Sequence, residues 1–223
     1  MRVAIHQPEF LPWLGFFDKM IRADLYIVLD NVQFSKNGFQ NRNRLLDREG
    51  NTFWATVPVK SAGHTTRRIM DIEIDNSQCW QRKLWGRIHS SYCRHPFFPS
   101  LGPELELIIQ QSHPSLIALN LELIFFFRRY LNITVPMVRA SELDTVGNRS
   151  ELLLSLCTQV GATTYLSGPS GRDYLNTKLF LSEGINIEFH RFTNPKQHQP
   201  GNLNVSCLDW LLNYGSASRS WLG

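Results

Sequence analysis

Residues 2–6 (RVAIH) are a short, mostly apolar run that stops at a polar pair, His6-Gln7. From Trp13 the pattern changes. Trp13, Phe16, Phe17, Met20 and Ile21 recur at i, i+3, i+4, i+7 and i+8, which is one face of a helix. Pro12 suits the first turn of that helix, where no backbone donor is lost. Residues 25–29 (LYIVL) are apolar throughout, the pattern of a parallel strand buried on both faces. The first 30 residues therefore predict strand, helix, strand, with a right-handed crossover.

Residues 30–50 are polar, basic and glycine-containing, which predicts a loop with a hairpin continuing into 52–59 (TFWATVPV). Residues 60–68 (KSAGHTTRR) read as a cationic loop, and the alternation of 69–75 (IMDIEID) predicts a strand. Helices are predicted at 79–92, 102–111 and 115–131. In the last of these Leu116, Leu119, Leu123, Phe126, Phe127 and Tyr130 lie on one side. A third core strand follows at 135–139, then a helix at 150–160 that points Leu152, Leu153, Leu156 and Val160 inward and ends at Gly161. A fourth strand (163–167) runs into the glycine-rich SGPSG. A helix at 178–183, a fifth strand at 186–190 and a helix at 207–213 complete the chain. Strands separated by helices predict an α/β protein with a mostly parallel, Rossmann-like sheet. The expected organisation is a single domain, 1–223, with an insertion at about 45–110.

Composition adds limits. A hydrophobic fraction of 43% with 12% aromatics is globular rather than disordered. The net charge of +4 and pI near 9.0 suit a phosphate-bearing ligand or anionic sugar nucleotide but are too weak to argue for nucleic acid. Cys79, Cys93, Cys157 and Cys207 include no CxxC pair, which favours free thiols in a reducing cytoplasm. The chain opens on a strand-like run without a signal-peptide pattern, and no apolar stretch reaches membrane-spanning length. A cytoplasmic protein with no membrane span is expected.

In open parallel sheets, ligands bind beyond the carboxyl ends of the strands. The first strand ends at His6-Gln7, the second at Asp30-Asn31 and the fourth at Ser167-Gly168, so three polar clusters should converge. His6 is expected to donate to a phosphate or to charge developing on one, unless it merely caps the next helix. Lys36, Arg42 and Arg44, interleaved with Gln33, Gln40, Asn41 and Asn43, form a cationic, amide-rich segment that is either a solvated loop or a ligand contact. Arg42 and Arg44 alternate, share a face in extended chain, and suit bidentate contact with phosphate or carboxylate. SGPSGRDYL at 167–175 offers Ser167, Gly168, Ser170 and Gly171 as a backbone nest, or else a plain turn. It is not a Walker loop, and neither a GxGxxG fingerprint nor a GxSxG elbow occurs. Residues 192–201, with Lys196, His198 and Gln199, follow His190 at the fifth strand's end and are a candidate lid. His89, Cys93 and His95 lack a fourth ligand, so no metal site is expected. Cys157 reads as core, and Asp209 and Trp210 as anchors of the last helix.

IHQPEFLPWLGFFDKM at 5–20, ADLYIVLDNVQFSKNGFQNRN at 23–43, YLSGPSGRDYL at 165–175 and LDWLLNYG at 208–215 together resemble the WbqC-like family, over nearly the whole chain. The chain departs from the family at Phe10, typically a tyrosine, and within 196–199, where a tyrosine often stands. The resemblance implies a role in surface-polysaccharide or related biosynthesis, with attachment of an amino acid, glycine in particular, to a sugar. The opening is also similar, at fold level, to pantothenate synthetases and related HUP-type nucleotidylyltransferases, which bind ATP through histidines in this turn and form amides through an acyl-adenylate. Here only His6 is present, and Trp13 and Gly15 stand where that turn runs.

The expectation is an acyl or aminoacyl transferase, or an ATP-dependent amide ligase, acting on an amino sugar, sugar nucleotide or amino acid. ATP with magnesium would be the cofactor of the ligase route, and whether the acyl group is activated by ATP or arrives activated is open. A carrier protein or a second biosynthetic enzyme is a candidate partner. His6, Gln7, Lys36 and Arg42 are the expected catalytic residues. Trp13, Gly15, Asp30, Gln33, Asn41, Asn43, Arg44, Ser167, Gly168, Ser170, Gly171, His198 and Gln199 are the expected binding residues. The alternative is a non-catalytic binding or scaffold protein of a biosynthetic complex.

Overall fold

The computed structural model describes residues 1–60, 66–195 and 205–222. Five parallel strands form the main sheet: β1 (Arg2–His6), β2 (Leu25–Val28), and, numbering the chain's strands in order, β5 (Met137–Arg139), β6 (Thr164–Ser167) and β7 (Asn186–Phe189). Their order across the sheet is β5-β2-β1-β6-β7. This is the α/β, Rossmann-like architecture that the hydrophobic pattern predicts. The chain winds outward from β1 to β2 and β5, then returns to the other side of β1 for β6 and β7. The order therefore reverses between β1 and β6, the topological switch point where such sheets bind ligands.

Burial explains why these strands are apolar on both faces. Val3, Ile5 and Tyr165 pack with α5 (Ser150–Gln159) and with α7 (Thr177–Ser182) on one side. Ala4, Val28 and Leu166 pack with α1 (Leu14–Ile21), α4 (Leu116–Tyr130) and α8 (Cys207–Tyr214) on the other. Helix α1 is buried at every position from Leu14 to Met20, Asp18 and Lys19 included. Its entry is fixed at Leu11, which has φ 46°, a left-handed conformation unusual for a non-glycine residue. The buried Asn43 amide holds this turn by donating to the carbonyls of Phe10 (3.2 Å) and Leu11 (2.9 Å).

Between β2 and β5 the chain forms the antiparallel hairpin β3 (Arg42–Leu46) and β4 (Thr52–Thr56), then α2 (Trp80–Tyr92), α3 (Phe98–Gln110) and α4. The strand expected at 69–75 is corrected. Ile69–Asp71 is a 3-10 turn, followed by single bridges from Glu73 to Ser115 and from Ile74 to Val59. The amides of Ile69 and Met70 bond to the carbonyls of Val32 and Asp30, which bends the segment before a ladder can form. Helix α3 begins four residues earlier than its expected 102, because Pro99 fits its first turn. Among the described residues, no helix is long and apolar enough to cross a membrane.

Candidate active site

A cavity of about 320 Å³ opens at the switch point, where the ends of β1 and β6 diverge. Its walls include His6 and Gln7 from the end of β1, Lys19 from α1, and Gly168, Ser170, Gly171 and Tyr174 beyond β6. The structure thus joins two of the three expected strand-end clusters around one volume.

His6 Nδ1 lies 2.9 Å from the Gln7 carbonyl, which can only accept, so Nδ1 carries the ring proton and Nε2 keeps its lone pair. This changes the expected role of His6 from donor to acceptor. Burial first, and then the neighbouring Lys19, push its pKa down to about 3, so the imidazole is neutral at pH 7. The side chain is still 29% exposed at the mouth, enough to meet a ligand. Its ring stands edge-on to Phe16, with centroids 5.2 Å apart.

Lys19 is buried, and its Nζ donates to the Ile5 carbonyl at 2.7 Å. Desolvation pulls it down to about 7, against the attraction of Glu9. Glu9 is also buried, and desolvation raises it to about 8, against the attraction of Lys19. Glu9 Oε1 is 4.0 Å from His6 Nε2, while Glu9 Oε2 and the buried Tyr26 hydroxyl have no hydrogen-bond partner among the described residues. Glu9 and Lys19 are thus electrostatically coupled, and their titration belongs to the two together. On the same helix, Asp18 accepts from Arg22 Nε at 2.7 Å and pairs at 2.5 Å with Nε2 of the buried His190, tying α1 to the end of β7.

Most of the remaining expected site residues hold structure rather than line the cavity. Gln7 Oε1 accepts from Gln40 Nε2 at 2.7 Å, which leaves the Gln7 Nε2 as the donor its side chain can offer. Asp30 is completely buried and accepts from Arg139 Nε (2.7 Å), Ser141 N (2.9 Å) and Ser141 Oγ (2.8 Å). It is committed to these bonds. Asn41 donates to the Val57 carbonyl, and Asn43 holds the turn before α1. Lys36 and Gln33 are exposed on the loop before β3. Arg42 and Arg44 stack on Trp54 and do not line the cavity. Trp13 covers Gly15, where a Cβ would meet the indole at 2.2 Å, and it stands edge-on to Phe192. Neither Trp13 nor Gly15 reaches the cavity.

The SGPSG loop is partly a turn. The amides of Gly171, Arg172 and Asp173 are taken by the carbonyls of Gly168, Pro169 and Ser170, and the short helix α6 (Gly171–Tyr174) follows. Among the described residues, the amides of Gly168 and Ser170 have no backbone acceptor. Buried Ser167 packs against Gly171, where a Cβ would lie 2.1 Å from its Oγ. Lys196, His198 and Gln199 lie outside the described residues.

The residues that sequence reasoning missed are Lys19 and Glu9. Their one sequence signal was context: Asp18 and Lys19 are the two charged residues of a helix otherwise apolar from Leu14 to Ile21, and Glu9 is enclosed in HQPEFLP. ATP, were it bound here, would have Lys19 and the amides of Gly168 and Ser170 available to its phosphate oxygens. No carboxylate lines the cavity, so a magnesium ion would take its ligands from phosphate and water.

Residues 7–220 match the WbqC-like protein family. A protein of Mycobacterium tuberculosis described as the uncharacterized protein Rv1507c is 30% identical over 226 residues, spanning 99% of this chain and 97% of that protein. No solved structure matches significantly. With its sequence matched from Gln7 onward and its polar strand ends gathered at the switch point, the chain belongs to the WbqC-like protein family, which is generally linked to polysaccharide biosynthesis.

Proposed function

We propose that this protein is an enzyme of cell-surface polysaccharide or secondary-metabolite biosynthesis that acylates an amine, moving a glycine-like aminoacyl group or another acyl group onto an amino sugar. The observation that carries this reading is the pairing of an unprotonated His6 Nε2 with a buried, near-neutral Lys19 on one cavity. Amide formation needs three things: an acceptor that orients the amine, a base that removes its proton, and positive charge for the leaving group. His6 Nε2 accepts a hydrogen bond from the incoming amine. Lys19, close to its own midpoint at neutral pH, takes the amine proton as the N–C bond forms and returns it to the departing group as the bond to that group breaks. The free amides of Gly168 and Ser170 cradle the anionic part of the donor. Were the donor activated by ATP as an acyl-adenylate, pyrophosphate would be released as that anhydride formed and AMP would be the group that leaves as the amide bond forms.

The test offers glycine and other amino acids with ATP and magnesium in one arm, and pre-activated glycyl thioesters in the other. Both arms contain free amino sugars, and N-acylated product is read by mass spectrometry. Product in either arm supports the reading and tells which donor is used. Amino-sugar binding without product in both arms would replace the enzyme with a non-catalytic binding protein.

A further inference from the structure

The stretch from the loop after β2 to the end of α2 concentrates positive charge. Residues 36–94 hold eleven of the chain's 23 Lys and Arg against five Asp and Glu, a surplus of six where the whole chain has a surplus of four. Part of this charge is neutralised locally: Lys60 and Arg67 pair with Glu73, and Arg68 pairs with Asp71. Arg42, Arg44, Lys83 and Arg87 are different. Among the described residues, none has a carboxylate partner within salt-bridge distance.

Three of these cations sit over aromatic rings, and Lys83 and Arg87 line a groove of about 330 Å³ between β4 and α2. Phe53, Trp54, Trp80, Lys83 and Arg87 line it, and no carboxylate does. The Arg87 guanidinium sits 3.9 Å over the Phe53 ring, and those of Arg42 and Arg44 sit 4.3 and 5.1 Å over Trp54. Trp54 is nevertheless 41% exposed, and Arg42 Nε is buried without a partner. Uncompensated like charges destabilise a fold by repulsion, so a cluster of this kind calls for an anion. Guanidinium groups already seated on rings lose little further freedom when they fork onto phosphate oxygens. The aromatic wall calls for a ligand that also has a flat face, which free phosphate lacks.

We propose that this groove binds a nucleoside diphosphate, its pyrophosphate on the Arg and Lys side chains and its base against the tryptophan wall. The inference rests on the acylation reading in one respect: it names the acceptor there as a nucleotide-linked amino sugar. The groove is tied to the cavity through the backbone. Arg42 pairs with Thr56, the Val57 amide bonds to the Asn41 carbonyl, and the adjacent Gln40 holds Gln7 of the cavity.

The test is calorimetric titration of uridine diphosphate into the full chain, its Lys83→Gln/Arg87→Gln and Trp54→Leu variants, and His6→Ala, with circular dichroism confirming each fold. Wild type should bind, both groove variants should lose about tenfold or more in affinity, and His6→Ala should bind as wild type does. Uridine and inorganic pyrophosphate should each bind more weakly than the diphosphate. No binding, pyrophosphate binding as tight as uridine diphosphate, or loss confined to His6→Ala would overturn the proposal. So would binding of dextran sulfate without uridine diphosphate, which would mark the groove for an anionic glycan. Acylation of a free amino sugar without any uridine diphosphate binding would refute the groove while leaving the acylation reading in place.

Discussion

Lys19→Met separates the role of Lys19 from its cost. Lys19 is 3% exposed, and burial lowers its pKa from 10.5 to about 7. At pH 7 that depression corresponds to about 4 kcal/mol of destabilisation relative to a solvated lysine. Methionine keeps an unbranched stem of similar volume, so packing survives. What is lost is the bond to the Ile5 carbonyl, worth about 2 kcal/mol including the acceptor left unmet. Glu9 is not stranded as a charge, because burial already raises it to about 8 and removal of Lys19 raises it further. The balance is a gain of about 2 kcal/mol, or about 6 °C in Tm for a chain of this size. The gain has a pH signature. Between about 7 and 10.5 the unfolded chain holds a proton on Lys19 that the folded chain has released, so wild-type stability rises with pH through that window and the variant's advantage shrinks. Scanning calorimetry at pH 7 and pH 9.5 measures both, and turnover should fall severely in the same stable variant. A loss of about 3–5 kcal/mol, as when one partner of a buried ion pair is removed, would refute the reasoning and show a fully charged Glu9–Lys19 pair.

Glu9→Gln isolates the other half of the pair. A carboxyl raised from 4.5 to about 8 keeps its proton where the unfolded chain has lost it, so its contribution makes wild-type stability fall as pH rises from 4.5 to 8. Urea unfolding should therefore show the variant's stability relative to wild type rising by about 3 kcal/mol between pH 5 and pH 8; the His6 and Lys19 contributions, opposite in sign, are common to both chains and cancel in that comparison, and no rise would contradict the assignment. Asn43→Ala strips the Phe10 and Leu11 carbonyls of their donor and releases the left-handed Leu11, so unfolding in urea should show a loss of about 2–4 kcal/mol, and a loss under about 0.5 kcal/mol would contradict the assigned role.

The architecture was legible because its signals are local. The run at 2–6, the 3.6-residue spacing from Trp13 and the uniform apolarity of 25–29 each report burial directly, and convergence of the strand ends follows from a parallel sheet. The alternation at 69–75 misled because Ile69, Ile72 and Ile74 are buried in a folded-back segment, and burial alone does not distinguish a turn from a ladder. Within the site, residue type was legible but partnership was not. Asp30 reads as a ligand until Arg139 and Ser141, over a hundred residues away, are seen to occupy it. Arg42 and Arg44 do share a face, as their alternation predicts, but that both lie over Trp54 of the partner strand rather than in the cavity follows from the hairpin pairing, which the sequence does not show. The SGPSG nest loses amides to its own turn. Lys19 escaped notice because a lysine inside a helix normally marks the solvent side, and only the burial of α1 on all sides shows otherwise.

The central claim is that the switch-point cavity is where an amine is acylated, with His6 orienting it. The most direct measurement is turnover of N-acylated amino sugar by His6→Ala under saturating donor and acceptor, with Tm recorded on the same sample. The account predicts a fall of about 100-fold or more with Tm within a few degrees of wild type, since what the substitution removes from the fold is one edge-on contact with Phe16 and one hydrogen bond to the Gln7 carbonyl. Turnover equal to wild type would remove His6, and with it this cavity, from the chemistry.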